Sequence, residues 1–412
     1  MMRKFSFLLF FFFCFSSLQA KEIQVCTSCE VNSLQQAVDM AVDGDVIRIK
    51  SGIYKEHGVE ILNKSIKIIG EGYPVIDAEM QGTAITVKAE NFSIEGIKII
   101  NIGTSHTNDF AAILVSRSKN FRIVNNRFEN IFFGILIERS SAGTISGNKM
   151  KSKSRIQAKS GNGIHMWHSE DLTVKNNEII GVRDGIYLEF VNNCVIEENL
   201  CKDNLRYGLH FMFSDHNEYL GNTFENNGAG VAVMYSKFIE MRRNLFRKNW
   251  GSASYGLLLK EISDSELINN TFEDNTIAIS ADNTNRINYR HNDFISNGYA
   301  VRIRGACYKN VFTENNFLAN SFDVAYTGNI NENEFLKNYW SEYTGYDLDK
   351  DGTGDVPYRP VKLFSYLVNR TPEAIILLRS IFIGLLDFSE KVSPIFTPAE
   401  LIDPQPQLRK IK

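Results

Sequence analysis

The sequence predicts an all-β fold, a parallel β-helix with coils of about 22 residues, and three observations predict it. A glycine, alternating apolar residues and an asparagine-x-aromatic recur with the aromatic sixteen positions after the glycine: Gly208 to Phe224, Gly230 to Phe246 and Gly256 to Phe272. Aligned on these ends, the chain shows an asparagine column (Asn126, Asn148, Asn177, Asn199, Asn222, Asn244, Asn270, Asn292). Two residues further on runs an apolar column, Phe128, Met150, Ile179, Cys201, Phe224, Phe246, Phe272 and Phe294. The intervals are 22, 29, 22, 23, 22, 26 and 22, so the unit is constant and the excess lies in two insertions. A period in this range means one supersecondary unit stacked on copies of itself.

Within each unit the alternation after the glycine has the period of two of a strand. Ile186 and Leu188, Leu209 and Phe211, Val231 and Val233, and Leu257 and Leu259 share the two inward phases. No helix fits between such short strands and their turns. The asparagines have a structural reason: a turn amide can bond its counterparts in the coils above and below, and asparagine tolerates left-handed backbone. A second, looser column follows at Asn227, Asn249, Asn275, Asn297 and Asn320.

Residues 1–20 read as an export leader, with Arg3 and Lys4, the apolar run Phe5 to Phe15, and a small and polar stretch to Ala20; Leu18 makes the cleavage site imperfect. The expected compartment is the periplasm. Without the leader the chain holds 43 basic and 48 acidic residues, a net charge of -5, which argues against nucleic acid as a partner. Cys26 and Cys29 form a CxxC, read as a disulfide or exposed redox pair ahead of a metal site. Cys194 and Cys201 fall at buried positions of one coil and act as small apolar residues.

Residues 21–340 are assigned to the β-helix. Ser33 to Val42 reads as a capping helix, with Ser33 and Gln36 as a capping box and Gly44 closing it; its task is to cover the first open edge. Irregular coils run from Val46 to Asn101, and the regular stack reaches Asn338. One insertion, Lys149 to Lys159, is basic (Lys149, Lys151, Lys153, Arg155, Lys159) and reads as a solvated loop ahead of a dock for an acidic surface. The other, Asn249 to Tyr255, adds Trp250 in a Gly/Ser context.

The outward phase is unusual. Consecutive coils offer His165 and Trp167, Tyr187 and Glu189, His210 and Met212, Ala232 and Met234, then Leu258 and Lys260, where Thr, Lys, Ser and Glu would be ordinary. Met212 and Met234 are expected as vertical neighbours about 4.8 Å apart, with His210 on the same strand as Met212. Thioether plus imidazole with few hard oxygens suits Cu(I). His165 lies two coils from His210, roughly 9.6 Å away. Two other readings compete: a loop or the C-terminal segment covers this face, or the solenoid holds a polysaccharide. A sugar-cleaving enzyme needs paired acids, whereas Glu138, Glu189 and Asp282 are separated on this face by coils offering Trp, Met and Lys. No catalytic residues are therefore assigned.

After Trp340 the repeat stops. Over residues 341–361, Asp347, Asp349, Asp351, Thr353 and Asp355, with Gly352 at the sixth place, match a calcium loop. Tyr358 stands where an EF-hand has its glutamate, and a hydrogen-bonded Asp/Gly turn is the alternative. Residues 362–412 are assigned as a helical extension, with a helix from Thr371 and Pro372 to about Phe388. At near 25 Å it is too short to span a bilayer, and it either caps the solenoid or docks on a membrane-embedded partner, capping being preferred.

The run Arg183 to Lys260, with RDGIYLEF, LRYGLHFMFS, GAGVAVMYS and SYGLLLK, followed by NYWSEYTGYDLDKDGTGDVPYRP from Asn338, resembles the NosD family, periplasmic accessory proteins of nitrous oxide reductase. The resemblance covers nearly all of the chain after the leader. It implies a right-handed β-helix of the carbohydrate-binding and sugar-hydrolase type with no catalytic role of its own. It also implies work with an ABC transporter (ATPase NosF, permease NosY) and the copper chaperone NosL in maturing the reductase's copper centres. Under it the C-terminal helix becomes a candidate permease contact and the His/Met face a candidate for copper handling. The chain has no phosphate-binding glycine loop, consistent with ATP being hydrolysed by another subunit. No family motif marks His210, Met212 or Met234, which rest on the residue chemistry alone. Whether the cargo is copper, a sulfur species or mechanical work stays open.

Overall fold

A computed structural model describes residues 20–152, 156–251, 254–327, 332–377, 380–392 and 401–412. The leader expected over 1–20 lies outside the described residues apart from Ala20, as do Lys153 and Arg155 of the basic insertion.

Three parallel sheets of 14, 12 and 13 strands run from Glu22 to Trp340, and each coil between Val46 and Thr327 contributes one strand to each. The coil at Tyr207 shows the order: Tyr207–Met212 in the 12-stranded sheet, Glu218–Leu220 in the 14-stranded sheet, Thr223–Glu225 in the 13-stranded sheet. The core lies between the sheets. Ile186, Leu188, Leu209, Phe211, Val231 and Val233 are all fully buried, as the alternation requires. The apolar column becomes a stack of rings: Phe246 to Phe272 at 4.5 Å, Phe272 to Phe294 at 5.2 Å, then Phe317 and finally Trp340.

The repeated glycine answers to a neighbour, not to its own backbone angles. A Cβ on Gly208 would stand 2.8 Å from the carbonyl oxygen of Gly230, and one on Gly163 2.6 Å from that of Gly185. Coils approach too closely there for any side chain.

The asparagine column is buried and continuous. Each Oδ1 accepts from the backbone N–H and the Nδ2 of the preceding coil's asparagine, with Nδ2 to Oδ1 distances of 3.1 Å from Asn126 to Asn148 and 3.0 Å from Asn222 to Asn244. Nδ2 also reaches a carbonyl, as Asn222 does to Ile196 at 2.7 Å. The second column does the same from Asn204 to Asn320. One expectation is corrected: the left-handed residue is the one before the ladder asparagine, such as Asn125, Asn176, Glu198, Arg243 or Asn269. The ladder residue must aim its amide along the stack, and the turn is made one place earlier.

The capping helix α1 (Leu34–Met40) buries Leu34, Ala37 and Val38 on the first coils. Ser33 Oγ accepts from Gln36 N at 3.2 Å, and the Glu56 carboxylate accepts from Leu34 N and Gln35 N at 2.8 Å each. Gly44 does not close this helix. Ala41 turns extended, and Gly44 (φ +88°) shapes the following turn. Cys26 and Cys29 are joined in a disulfide.

Two features of the C-terminal region differ from expectation. The single helix expected from Thr371 to Phe388 is instead α2 (Leu363–Arg370), a 3-10 turn at Pro372–Leu377, and α3 (Ile381–Val392). Pro372 has no N–H to donate, so α2 ends with Thr371 N bonding Leu367 O at 2.8 Å. Phe364 and Val368 of α2 and Ile383 of α3 form a small core with Phe322 on the last strand of the 12-stranded sheet. Residues 401–412 are not helical. They return to the solenoid, where Gln407 pairs with Tyr339 and Asp403 receives the end of the asparagine column.

Candidate functional site

Five consecutive strands of the 12-stranded sheet carry the outward stripe: Ile164–Trp167, Asp184–Glu189, Tyr207–Met212, Ala229–Met234 and Leu257–Lys260. In-register pairing sets out two rows. One runs His165, Tyr187, His210, Ala232, Leu258, and the other Trp167, Glu189, Met212, Met234, Lys260. Met212 and Met234 are paired neighbours, with His210 two residues along the strand.

His210 is the anomaly of this face. It is 6% exposed, and neither ring nitrogen has a hydrogen-bond partner. The ring packs edge-on to Tyr187 at 4.9 Å and against Tyr207 at 4.8 Å. Burial lowers its pKa to about 4, so it is neutral near pH 7 with one lone pair free. A buried polar group left unmatched costs free energy.

The structure does not bring His165 to His210. The ring of Tyr187 stands between them, 4.7 Å from His165. Burial, then Arg183, lowers the His165 pKa to about 3. Burial and Glu189 push the Tyr187 phenol up to about 12, so it keeps its proton; the O–H lies 3.3 Å from Glu189 Oε2 and 4.0 Å from Met212 Sδ.

Sequence reasoning missed the polar residues at the start of these strands. Asp184, fully buried, accepts from Arg206 Nε at 2.9 Å, with Arg183 at 4.0 Å. Arg183 Nε also donates to Asn162 Oδ1 at 3.2 Å. The available signal was position: Asp184 stands directly before the repeat glycine Gly185, where the next coils have Tyr207 and Ala229.

Glu138, Glu189 and Asp282 stay apart on this face, with Trp167, Met212, Met234 and Lys260 in the row between them. Acids do neighbour one another on the 14-stranded sheet, where Glu218, Glu240 and Glu266 are in register. There Arg242 binds Glu240 at 2.7 Å and Glu266 at 3.3 Å. Cys194 and Cys201 are buried in the core, and burial pushes the Cys194 thiol up to about 12 and that of Cys201 further.

In the second candidate site, carboxylate oxygens of Asp347, Asp349 and Asp351 lie within 4.8 Å of one another, the one such His/Cys/Asp/Glu group among the described residues. Asp347 accepts from Lys350 N and Gly352 N, Asp351 from Thr353 N, and Asp355 from Leu348 N. The loop is tied to the tail by Gly354 N to Pro406 O at 2.8 Å and Leu408 N to Gly352 O at 3.1 Å.

The chain is 26% identical over 405 residues to a Pseudomonas aeruginosa PAO1 protein named "Probable ABC transporter binding protein NosD", covering 85% of each chain. It is 25% identical over 423 residues to a Stutzerimonas stutzeri protein of the same name, covering 88% of this chain and 86% of the other. The sequence profile of the family described as "Periplasmic copper-binding protein (NosD)" matches residues 147–345. The chain is thus similar to the NosD family, with the profile match spanning residues 147–345. That span includes the whole outward stripe and ends just before the acidic loop. A solved structure, the catalytic unit of a GH87 alpha-1,3-glucanase from Streptomyces thermodiastaticus strain HF3-3, superposes with a TM-score of 0.60 at 12% identity, over 74% of this chain and 66% of that one. At that identity the likeness shows the shared fold alone. The profile match and the two relatives, each named as a binding protein, support a NosD-type accessory role. No described helix is long and apolar enough to cross a membrane.

Proposed function

We propose that this protein is the periplasmic partner of an ABC transporter in maturing the copper centres of nitrous oxide reductase, and that it holds Cu(I) in passing on its outward stripe. The observation that carries the copper part is His210: a buried, neutral imidazole with both nitrogens unpartnered, on the strand of Met212, which pairs with Met234 on the next coil. One imidazole and two thioethers are soft donors that suit Cu(I) and discriminate against magnesium or calcium. His165 is the remaining candidate on the stripe. Cu(I) here is cargo, delivered by a chaperone of the NosL kind and passed toward the reductase.

The transporter contact is assigned to α3 and the turn before it. Ile376 and Ile381 are 86% and 87% exposed, and Phe382, Leu385 and Phe388 are also exposed, while α2 anchors the pair to the last strand. Such a patch suits an apolar partner surface, here the permease (NosY) whose ATPase (NosF) supplies the energy. Calcium at Asp347, Asp349, Asp351, Thr353 and Asp355 is a structural proposal: it would clamp the loop that holds the C-terminal tail.

The copper proposal is tested by titrating Cu(I) against a chromogenic chelator. Wild-type protein is expected to take up one equivalent on this face, and the His210→Ser, Met212→Ser, Met234→Ser triple variant none. Equal stoichiometry and affinity in the two proteins would refute it.

A further inference from the structure

The two histidines of the stripe differ in a way that fixes their roles. Arg183 Nε sits 3.2 Å from Asn162 Oδ1. An arginine nitrogen only donates, so the amide atom it meets is the oxygen and the other is the NH2 group. That Nδ2 lies 3.4 Å from His165 Nδ1. Nδ1 is therefore the acceptor, and in the neutral ring the proton resides on Nε2. Asn162 is itself 1% exposed, so the amide has little room to turn over. At His210 both nitrogens lack a partner, and either can present a lone pair.

We infer that Arg183 and Asn162 lock His165 as the Nε2–H tautomer, making it a positioning residue that supports the Cu(I) donors and not one of them. His165 packs edge-on to Tyr187, Tyr187 edge-on to His210, and the Tyr187 hydroxyl spans Glu189 and Met212. Holding the first ring holds the second, and through it the side chains on either side of the ligand set. Arrangement of first-tier ligands by such supporting hydrogen bonds commonly sets metal affinity within a factor of about 10 to 100. This rests on the copper reading above, but the lock is measurable without copper.

The experiment is nitrogen-15 NMR of the histidine rings in the full mature chain, before and after one equivalent of Cu(I), with parallel chelator competition. In copper-free protein His165 should show the Nε2–H pattern, and Asn162→Leu should let the two tautomers mix. On adding Cu(I), a His210 nitrogen should move and those of His165 should not. His165→Gln should keep one equivalent with affinity weakened about ten-fold, whereas His210→Gln should lose it. A His165 ring protonated on Nδ1, a His165 nitrogen that moves with Cu(I), or loss of the equivalent in His165→Gln would each overturn the inference. If the wild-type chain takes up no Cu(I) while His165 still shows Nε2–H, the copper reading fails and the lock stands.

Discussion

Asp403, 65 residues downstream of Asn338, receives the last hydrogen bonds of the asparagine column: its Oδ2 accepts from Asn338 N at 2.9 Å and from Asn338 Nδ2 at 3.1 Å. The same oxygen takes Trp340 Nε1 at 3.0 Å, and Oδ1 takes Lys337 N at 3.1 Å. Removing this fully buried carboxylate strands several donors at once. Asp403→Ala is expected to cost on the order of 3 to 5 kcal/mol in denaturant unfolding. Asp403→Asn should cost less, because one oxygen still accepts. A loss below about 1 kcal/mol for the alanine would mean the tail is only laid against the solenoid.

Phe272 tests the ring stack. It is fully buried between Phe246 and Phe294, so Phe272→Ala should lose about 3 to 5 kcal/mol, transfer and cavity terms together. Phe272→Leu, which keeps most of the volume, should lose distinctly less. Equal midpoints for the two variants would contradict the packing described.

Asp323 gives a pH dependence. It is buried at the end of the second asparagine column, 3.3 Å from Asn320 Nδ2 and 3.4 Å from the Tyr358 hydroxyl, with burial raising its pKa to about 6 against partial relief from Lys362. A raised acid favours the fold while protonated: its contribution is whole below about pH 4 and is lost as pH rises through about 6. Asp323→Asn should thus match wild type near pH 4 and exceed it at pH 8, by up to about 3 kcal/mol. Parallel stability profiles across that range would refute the shift.

Calcium should raise the thermal midpoint if the acidic loop binds it, by the equivalent of about 2.7 kcal/mol at a hundred-fold excess over Kd. Asp349→Asn should abolish the difference between calcium and chelator. No calcium-dependent shift in the wild-type chain would reduce the loop to a hydrogen-bonded turn.

The coil, its inward phase and its amide columns were legible because each repeats, so every position is read many times over. The pairing of Met212 with Met234 was legible for the same reason. Features occurring once were not. The return of Asp403 to Asn338 joins residues with no local pattern between them. The break at Pro372 left a periodic apolar face intact on both sides and read as one helix. The separation of the histidines depends on the ring of Tyr187, whose place between them follows from register but whose consequence follows only from side-chain packing. The relay from Arg183 through Asn162 to His165 joins the starts of two neighbouring strands that no periodicity links.

From amide to amide the asparagine columns run in one sense, each Nδ2 giving one hydrogen to the Oδ1 of the coil ahead and each Oδ1 taking from the coil behind. Such a row can be extended by any coil that brings the same amide, and it can stop only at a group that takes and gives nothing onward. Asp403 is that group. The length of this solenoid is thus written at its terminus and not in its middle, and a whole coil duplicated between Asn292 and Asn315 should be absorbed without disturbing either end. Families built this way can change reach by whole coils while keeping one fixed stop.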